Sequence, residues 1–250
     1  MNTRDKMSPG RRSFLTVAGG AAAAVALSGL PCASGAASDA ARRMKIGIIG
    51  SGRIGGTLGG LWAQAGHEVM FSSLDLEHDK ALAAKTGPNA RAGTSREAAA
   101  FGDVLLIAVP YRALPQVGKD LAAQIKGKVV IDACNPIVAR DGEIATWARE
   151  KGAGVASAEL LPGARIVRAF NAIGFARLPD IAQRKGERTG MPIAGDDAAA
   201  IATASSLIRE VGFEPVLVGP LAMGRHLIPG TPLAGERSPE EIRKIAKTLS

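Results

Sequence analysis

The stretch KIGIIGSGRIGG, residues 45–56, joins an apolar run to a glycine-rich turn. Isoleucine and glycine behind a single lysine predict a short parallel strand buried on both faces. Gly50, Gly52 and Gly55 then fit G-x-G-x-x-G, and each has a mechanical task. The first allows the sharp turn out of the strand, the second lets backbone approach a pyrophosphate, and the third lets helix and strand pack closely. Helical character over 54–65 ends at Gly66, where a C-terminal cap glycine belongs. A pyrophosphate at this turn faces free helix amides, where the macrodipole favours negative charge. Ser51, Arg53 and Ile54 fill the turn and join the three glycines as candidate cofactor-binding residues.

Outward from this turn, strands and helices alternate. HEVMFSS (67–73) predicts a second strand, followed by a weak helix at 80–85, a short link around Ala90 and a helix at 95–101. DVLLIAVP (103–110) is an unbroken apolar strand closed by Pro110, and a helix over 114–125 leads to the strand KVVIDACNP (128–136). Helices near 144–151 and 157–161 precede the strand ARIVRAF (164–170). MPIAG (191–195) and EPVLVG (214–219) are strands flanking a helix at 197–211, and a last helix over 240–249 is announced by Ser238 and Pro239. This rhythm predicts a doubly wound, mostly parallel α/β Rossmann sheet with helices on both faces. It gives one nucleotide-binding domain over 44–220 and a C-terminal loop and helix extension over 221–250.

The chain has 250 residues, 46% hydrophobic and 22% charged, which suits one globular domain. Its net charge of +8 invites a nucleic-acid role. Aromatics make up only 4%, and the basic residues are scattered without a footprint, so nucleic acid is not an expected partner. Part of the charge lies in residues 1–36, which read as a signal peptide: a basic start, an Ala- and Gly-rich apolar run over 14–30, then small residues at Ser34-Gly35-Ala36. Arg11 and Arg12, followed by Ser13, Phe14 and Leu15, resemble the twin-arginine export motif. Export by that machinery to the periplasm is the expectation; an uncleaved leader would leave a membrane-anchored or cytoplasmic protein. Cleavage after Ala36 removes Arg4, Lys6, Arg11, Arg12 and Asp5, taking the charge from +8 to +5. It also removes Cys32, so Cys134 stays alone and no internal disulfide forms. A route that carries folded proteins lets a cytoplasmic dinucleotide travel out inside its protein.

The nucleotide is chosen at the end of the second strand, where NAD proteins usually place an acid about 20 residues beyond the glycines. Ser72 and Ser73 stand there instead. A hydroxyl does not repel a 2′-phosphate, so the pair favours NADP over NAD, with Arg53 and Lys80 as nearby cations and Asp75 as a nearby acid. No G-x-S-x-G, H-E-x-x-H or paired-cysteine motif occurs, and the three histidines are scattered. His226 alone falls near the expected open end of the sheet. Cys134 reads as a small buried filler.

With these residues placed, the sequence resembles the deazaflavin-dependent (coenzyme F-420) NADP oxidoreductase family. The resemblance runs over about 44–220, through KIGIIGSGRIGG, EVMFSS, LLIAVP, DACNP, VRAFNAI, PIAGDD and GFEPVLVGPL. The same module is similar to the N-terminal domain of pyrroline-5-carboxylate reductase and the reductase domain of the six-transmembrane metalloreductases. The resemblance implies that Ser72 and Ser73 contact the adenosine phosphate and that Ala108, Val109 and Pro110 line the middle of the cofactor. It further implies that Asn135 and Pro136 sit near the nicotinamide ribose, with Ala169, Phe170 and Asn171 beside the nicotinamide or the acceptor. Leu74 departs from the arginine that many members carry. The implied activity is hydride transfer between NADP(H) and a small-molecule redox acceptor, a deazaflavin, flavin or similar ring. A non-catalytic dinucleotide sensor or carrier is the alternative, and a homodimer stays open. Topology predicts that Gly50, Ser73, Pro110, Asn135 and Asn171 converge beyond the C-terminal strand ends.

Overall fold

The structure is a computed structural model, and it describes residues 43–249. The leader lies outside the described residues. The strands are β1 (Lys45–Ile49), β2 (Glu68–Ser72), β3 (Ala90–Ala92), β4 (Val104–Ile107), β5 (Val129–Asp132), β6 (Arg165–Arg168), β7 (Gly190–Gly195) and β8 (Glu214–Gly219). They form one sheet in the order β3-β2-β1-β4-β5-β6-β7-β8. Every neighbouring pair is parallel except β6 and β7.

The period of two along the strands sorts side chains between two cores. Ile46, Ile48, Val104, Leu106, Val129 and Ile131 face one layer, where they meet Leu58 and Trp62 of α1 (Arg53–Gln64). Ile49, Leu105, Ile107 and Val130 face the other, against Ala98 and Ala99 of α3 (Ser95–Phe101), which follows α2 (Leu76–Thr86). Helices therefore cover both faces, as the unbroken apolar strands require. α10 (Ala198–Glu210) adds Ala200, Ala204, Leu207 and Ile208 to the first layer. Before it come α4 (Leu114–Asp120), α5 (Ala122–Ile125), α6 (Val138–Asp141), α7 (Glu143–Lys151), α8 (Ala153–Leu160) and α9 (Leu178–Ala182); α11 (Pro239–Ala246) follows β8.

Several elements differ from the sequence expectation. The link around Ala90 is the edge strand β3, too short for alternation to register, with Arg91 paired to Glu68 of β2 at 3.0 Å. The helix expected over 114–125 breaks at Leu121 into α4 and α5. α8 begins four residues before the expected start at 157 and runs through Gly154, where a Cβ would stand 2.1 Å from the Leu221 carbonyl oxygen. Close packing requires glycine there although glycine is a poor helix former. The reversal of β7 is a further difference, since a short apolar strand carries no mark of its direction. At the C-terminus, Ser238 and Glu241 form a reciprocal capping box with Pro239 in the first turn, and α11 stops at Ala246, short of 249.

Candidate functional site

The strand order reverses between β1 and β4, and the C-terminal ends of those two strands bound a crevice. Gly50, Ser73, Pro110, Asn135 and Asn171 follow the ends of β1, β2, β4, β5 and β6, which run parallel, so all five lie at one edge of the sheet.

The glycine turn shows three separate constraints. Gly50 has φ +98, and a Cβ there would lie 2.6 Å from the Ala108 carbonyl oxygen. Gly55 touches the strand end, where a Cβ would come 2.1 Å from the Gly50 oxygen. At Gly52 a Cβ would meet nothing within 4 Å, so no protein atom requires glycine there. Open space at this position is what the close approach of a pyrophosphate to the backbone needs. The amides of Gly50 and Ser51 are held by the Ser72 carbonyl at 2.9 and 3.0 Å, which fixes the turn. Gly52 caps α1 without a side-chain bond, and the first helical turn holds no acid, so its amides are left for an anion. These residues fit a dinucleotide.

A cavity of about 630 Å³ continues from this turn. Arg53 and Ile54 of α1, Ala108, Val109 and Pro110 after β4, and Asn135 and Asn171 line it. The Asn135 amide donates to the Asn171 carbonyl at 2.9 Å, while its Oδ1 and that of Asn171 are buried without a partner. A buried acceptor without a donor is costly. The N–H groups of a nicotinamide carboxamide are donors of the required kind.

Beneath the loop lies a buried ion pair, Arg168 to Asp132 at 2.6 Å, with both side chains fully enclosed. Arg168 also donates to the Cys134 carbonyl at 3.1 Å, and Asp132 accepts from the Cys134 amide at 2.8 Å. The polar core thus positions the turn that carries Asn135. Burial pushes the Cys134 thiol well above its ordinary value, and its Sγ donates to the Ile107 carbonyl at 3.4 Å, as a filler would. Arg140 reaches the Asn135 carbonyl at 2.9 Å and is fixed by Asp141 at 2.8 Å. Burial works to raise the Asp141 carboxyl, but hydrogen bonds from Arg140 and the Ile137 amide outweigh it and hold the group below its ordinary value.

Other expected residues lie apart from the cavity. Ser72 is fully buried and donates to the Ile48 carbonyl at 2.7 Å, so its hydroxyl is turned into the sheet. Ala169 and Phe170 are enclosed. The Phe170 ring packs edge-on between Trp62 and Phe213, each 6.1 Å away, while its backbone takes φ +64 and turns the chain toward Asn171. The Pro136 carbonyl accepts from Arg149 at 3.3 Å. His226 follows β8, which runs with the reversed β7 and ends at the opposite edge of the sheet; it does not line the cavity.

Sequence reasoning missed Ile137, Phe175 and the segment containing Pro229, Gly230, Ala234 and Gly235, all of which line the cavity. The only local trace of that last wall was its Pro-Gly pair; the Gly235 amide anchors it on the Ala172 carbonyl at 2.8 Å. Asp79 was missed as well. Its buried carboxylate accepts the hydroxyls of Ser51 and Ser73 and so ties the glycine turn to the end of β2.

The chain is similar to known proteins in sequence and in fold. A family model described as "NADP oxidoreductase coenzyme F420-dependent" matches residues 45–136. The chain is 30% identical over 206 residues to the F420-dependent NADP reductase of Methanothermobacter thermautotrophicus, covering 76% of this chain and 87% of that enzyme. It is 32% identical over 211 residues to the enzyme of the same name from Methanothermobacter marburgensis, covering 76% and 90%. Against metalloreductase STEAP3 of Rattus norvegicus it is 30% identical over 183 residues, 73% of this chain but only 35% of that protein. Among solved structures, a hypothetical protein of Sinorhizobium meliloti superposes with a TM-score of 0.65 at 26% identity, over 78% of this chain and 95% of that one. With most of the length of two Methanothermobacter enzymes matched at 30% identity or more, the chain belongs to the F420-dependent NADP reductase family of NAD(P)-dependent oxidoreductases.

Proposed function

We propose that this protein transfers a hydride between a nicotinamide dinucleotide and a planar deazaflavin or flavin ring held in the same cavity. The observation that carries the reading is the character of the cavity wall. Among the described residues, Arg53 and Arg140 are the only charged side chains that line it, and no carboxylate or imidazole does. A site without an acid or base suits transfer between two stacked rings, which depends on proximity and exclusion of water.

When bound, the nicotinamide ring supplies the hydride chemistry. The chain's own residues hold and enclose it. The amides opening α1 at Gly52 would hold the pyrophosphate, and Ala108, Val109 and Pro110 would give it an apolar floor. Asn135 and Asn171 supply fixed acceptors, kept in place by the Cys134 carbonyl and the Arg168–Asp132 pair beneath. Phe175, with the Arg53 guanidinium 4.8 Å above its ring, forms a flat cationic rim suited to a planar acceptor bearing negative groups. The proposed location is outside the cytoplasmic membrane, after export by the twin-arginine route, on the strength of residues 1–36.

Purified protein given NADH or NADPH with a panel of deazaflavin, FMN, FAD and ferric chelates tests the reading. Oxidation of the nucleotide with a ring acceptor is the expected result. Tight nucleotide binding with no oxidation by any acceptor would show a carrier module instead.

A further inference from the structure

We infer that Asp79 makes this chain select NAD(H) over NADP(H), delivering from α2 the acid that the end of β2 lacks. The inference rests on the nucleotide-binding reading above and goes against the preference that Ser72 and Ser73 suggest from sequence.

Asp79 lies in the first turn of α2, and its side chain is fully buried and reaches back to the strand end. Ser73 Oγ stands 2.9 and 3.0 Å from its two oxygens, and Ser51 donates to it from the glycine turn. The Ser51 proton goes to the carboxylate, and the carboxylate is the nearer acceptor for the Ser73 proton, ahead of the Asp75 carbonyl at 3.2 Å; Ser73 Oγ in turn accepts from the Asp75 amide at 3.1 Å. What Ser51 and Ser73 can offer a ligand is lone pairs, which accept from a ribose 2′-hydroxyl and oppose a phosphate. Behind them stands a carboxylate, and like charges brought together in a desolvated site are strongly disfavoured.

No cation named from sequence offsets this. Arg53 is turned over the Phe175 ring, and Lys80 pairs with Glu77 at 2.8 Å. Asp75 is spent as the N-cap of α2, accepting from the His78 amide at 3.0 Å. Leu74, which follows Ser73, is fully exposed and brings no charge.

Titration calorimetry of the full chain with NADH and NADPH, repeated on Asp79→Asn and on Leu74→Arg, tests the assignment. The wild type should bind NADH tighter than NADPH by about tenfold or more, the discrimination expected from one unfavourable charge contact. Asp79→Asn keeps an acceptor for the hydroxyls and should close most of that gap. Leu74→Arg, on a fully exposed site that the fold does not need, should raise NADPH affinity about tenfold while leaving NADH affinity nearly level. If Asp79→Asn fails to fold, the wild-type ratio and the Leu74→Arg response decide. Equal or tighter binding of NADPH by the wild type overturns the inference, as does an unchanged ratio in a folded Asp79→Asn. Binding of neither nucleotide would bring down the underlying reading, a distinct result from a reversed preference.

Discussion

At the scale of single residues, Gly52 and Gly55 separate binding from folding although they are neighbours in one motif. Alanine at Gly55 drives its Cβ into the Gly50 carbonyl at 2.1 Å and the Ile48 side chain at 2.9 Å, and backbone cannot move aside cheaply. Gly55→Ala should lower stability by about 1–3 kcal/mol, seen as an earlier denaturant midpoint. Gly52→Ala meets nothing within 4 Å, so its midpoint should stay near the wild type while nucleotide affinity falls by roughly tenfold. An unchanged affinity in a folded Gly52→Ala would remove the pyrophosphate from this turn. These glycines were legible because their constraint is local: strand, turn and helix follow one another within a few residues. Asp79 was not legible, since one partner, Ser51, lies 28 positions away in the glycine turn, and nothing in the run from Ser73 to Asp79 marks their contact. Only the fold of α2 across the end of β2 makes that carboxylate part of the site.

Elements are joined by charge as well as by apolar packing, and the two kinds of junction respond differently to change. Arg168 of β6 and Asp132 of β5 are fully enclosed, so removing one leaves the other charged and unpaired. Arg168→Met should cost about 3–5 kcal/mol, whereas the double variant with Asp132→Asn should recover a good part of it; thermal unfolding of the three variants checks this. Equal losses in single and double variants would mean that packing, not charge, holds the two strand ends. The clamp between Arg165 of β6 and Asp197, the N-cap of α10, is solvent-facing and reports through pH. Hydrogen bonds from Arg165, then from the Ala200 amide, hold the Asp197 carboxyl far below its ordinary value of 3.8. A depressed folded value means the contribution is whole above 3.8 and is lost as pH falls through the folded value. Asp197→Asn should therefore flatten the acid limb of the stability profile and leave its slope near neutrality unchanged. Strand and helix identity was legible in this part of the chain because apolar runs and caps are sequential signals. Neither β3 nor the direction of β7 was: three residues show no period, and pairing sense depends on a connection that runs through α9 with no pattern of its own.

Over the whole molecule, the reversal at β7 gives the sheet a third, smaller core beside its last two strands. Ala194, Val216, Leu227, Leu233 and Ile242 form it, and α11 closes it by setting Ile242 against β7. Gly190 is the place of contact: a Cβ there would stand 2.5 Å from Ile242 Cδ1, so the helix lies directly on the strand. The backbone between β8 and α11 returns across the molecule and supplies Pro229, Gly230, Ala234 and Gly235 to the cavity wall. That return explains why the C-terminal extension reads in sequence as a separate appendage although it walls the site. Ile242→Ala opens a void in this small core and should cost about 2–4 kcal/mol, lowering Tm by several degrees for a chain of this size. Since Ile242 touches neither the glycine turn nor Asn135, nucleotide affinity measured well below Tm should hold at its wild-type level. The acceptor KM should rise, because the 229–235 wall is tethered to the sheet through the same core, with the Gly190 amide bonded to the Arg237 carbonyl at 2.8 Å just before α11. Nucleotide affinity falling in step with acceptor KM would show instead that the extension supports both halves of the site, and that the parallel sheet alone does not hold the dinucleotide.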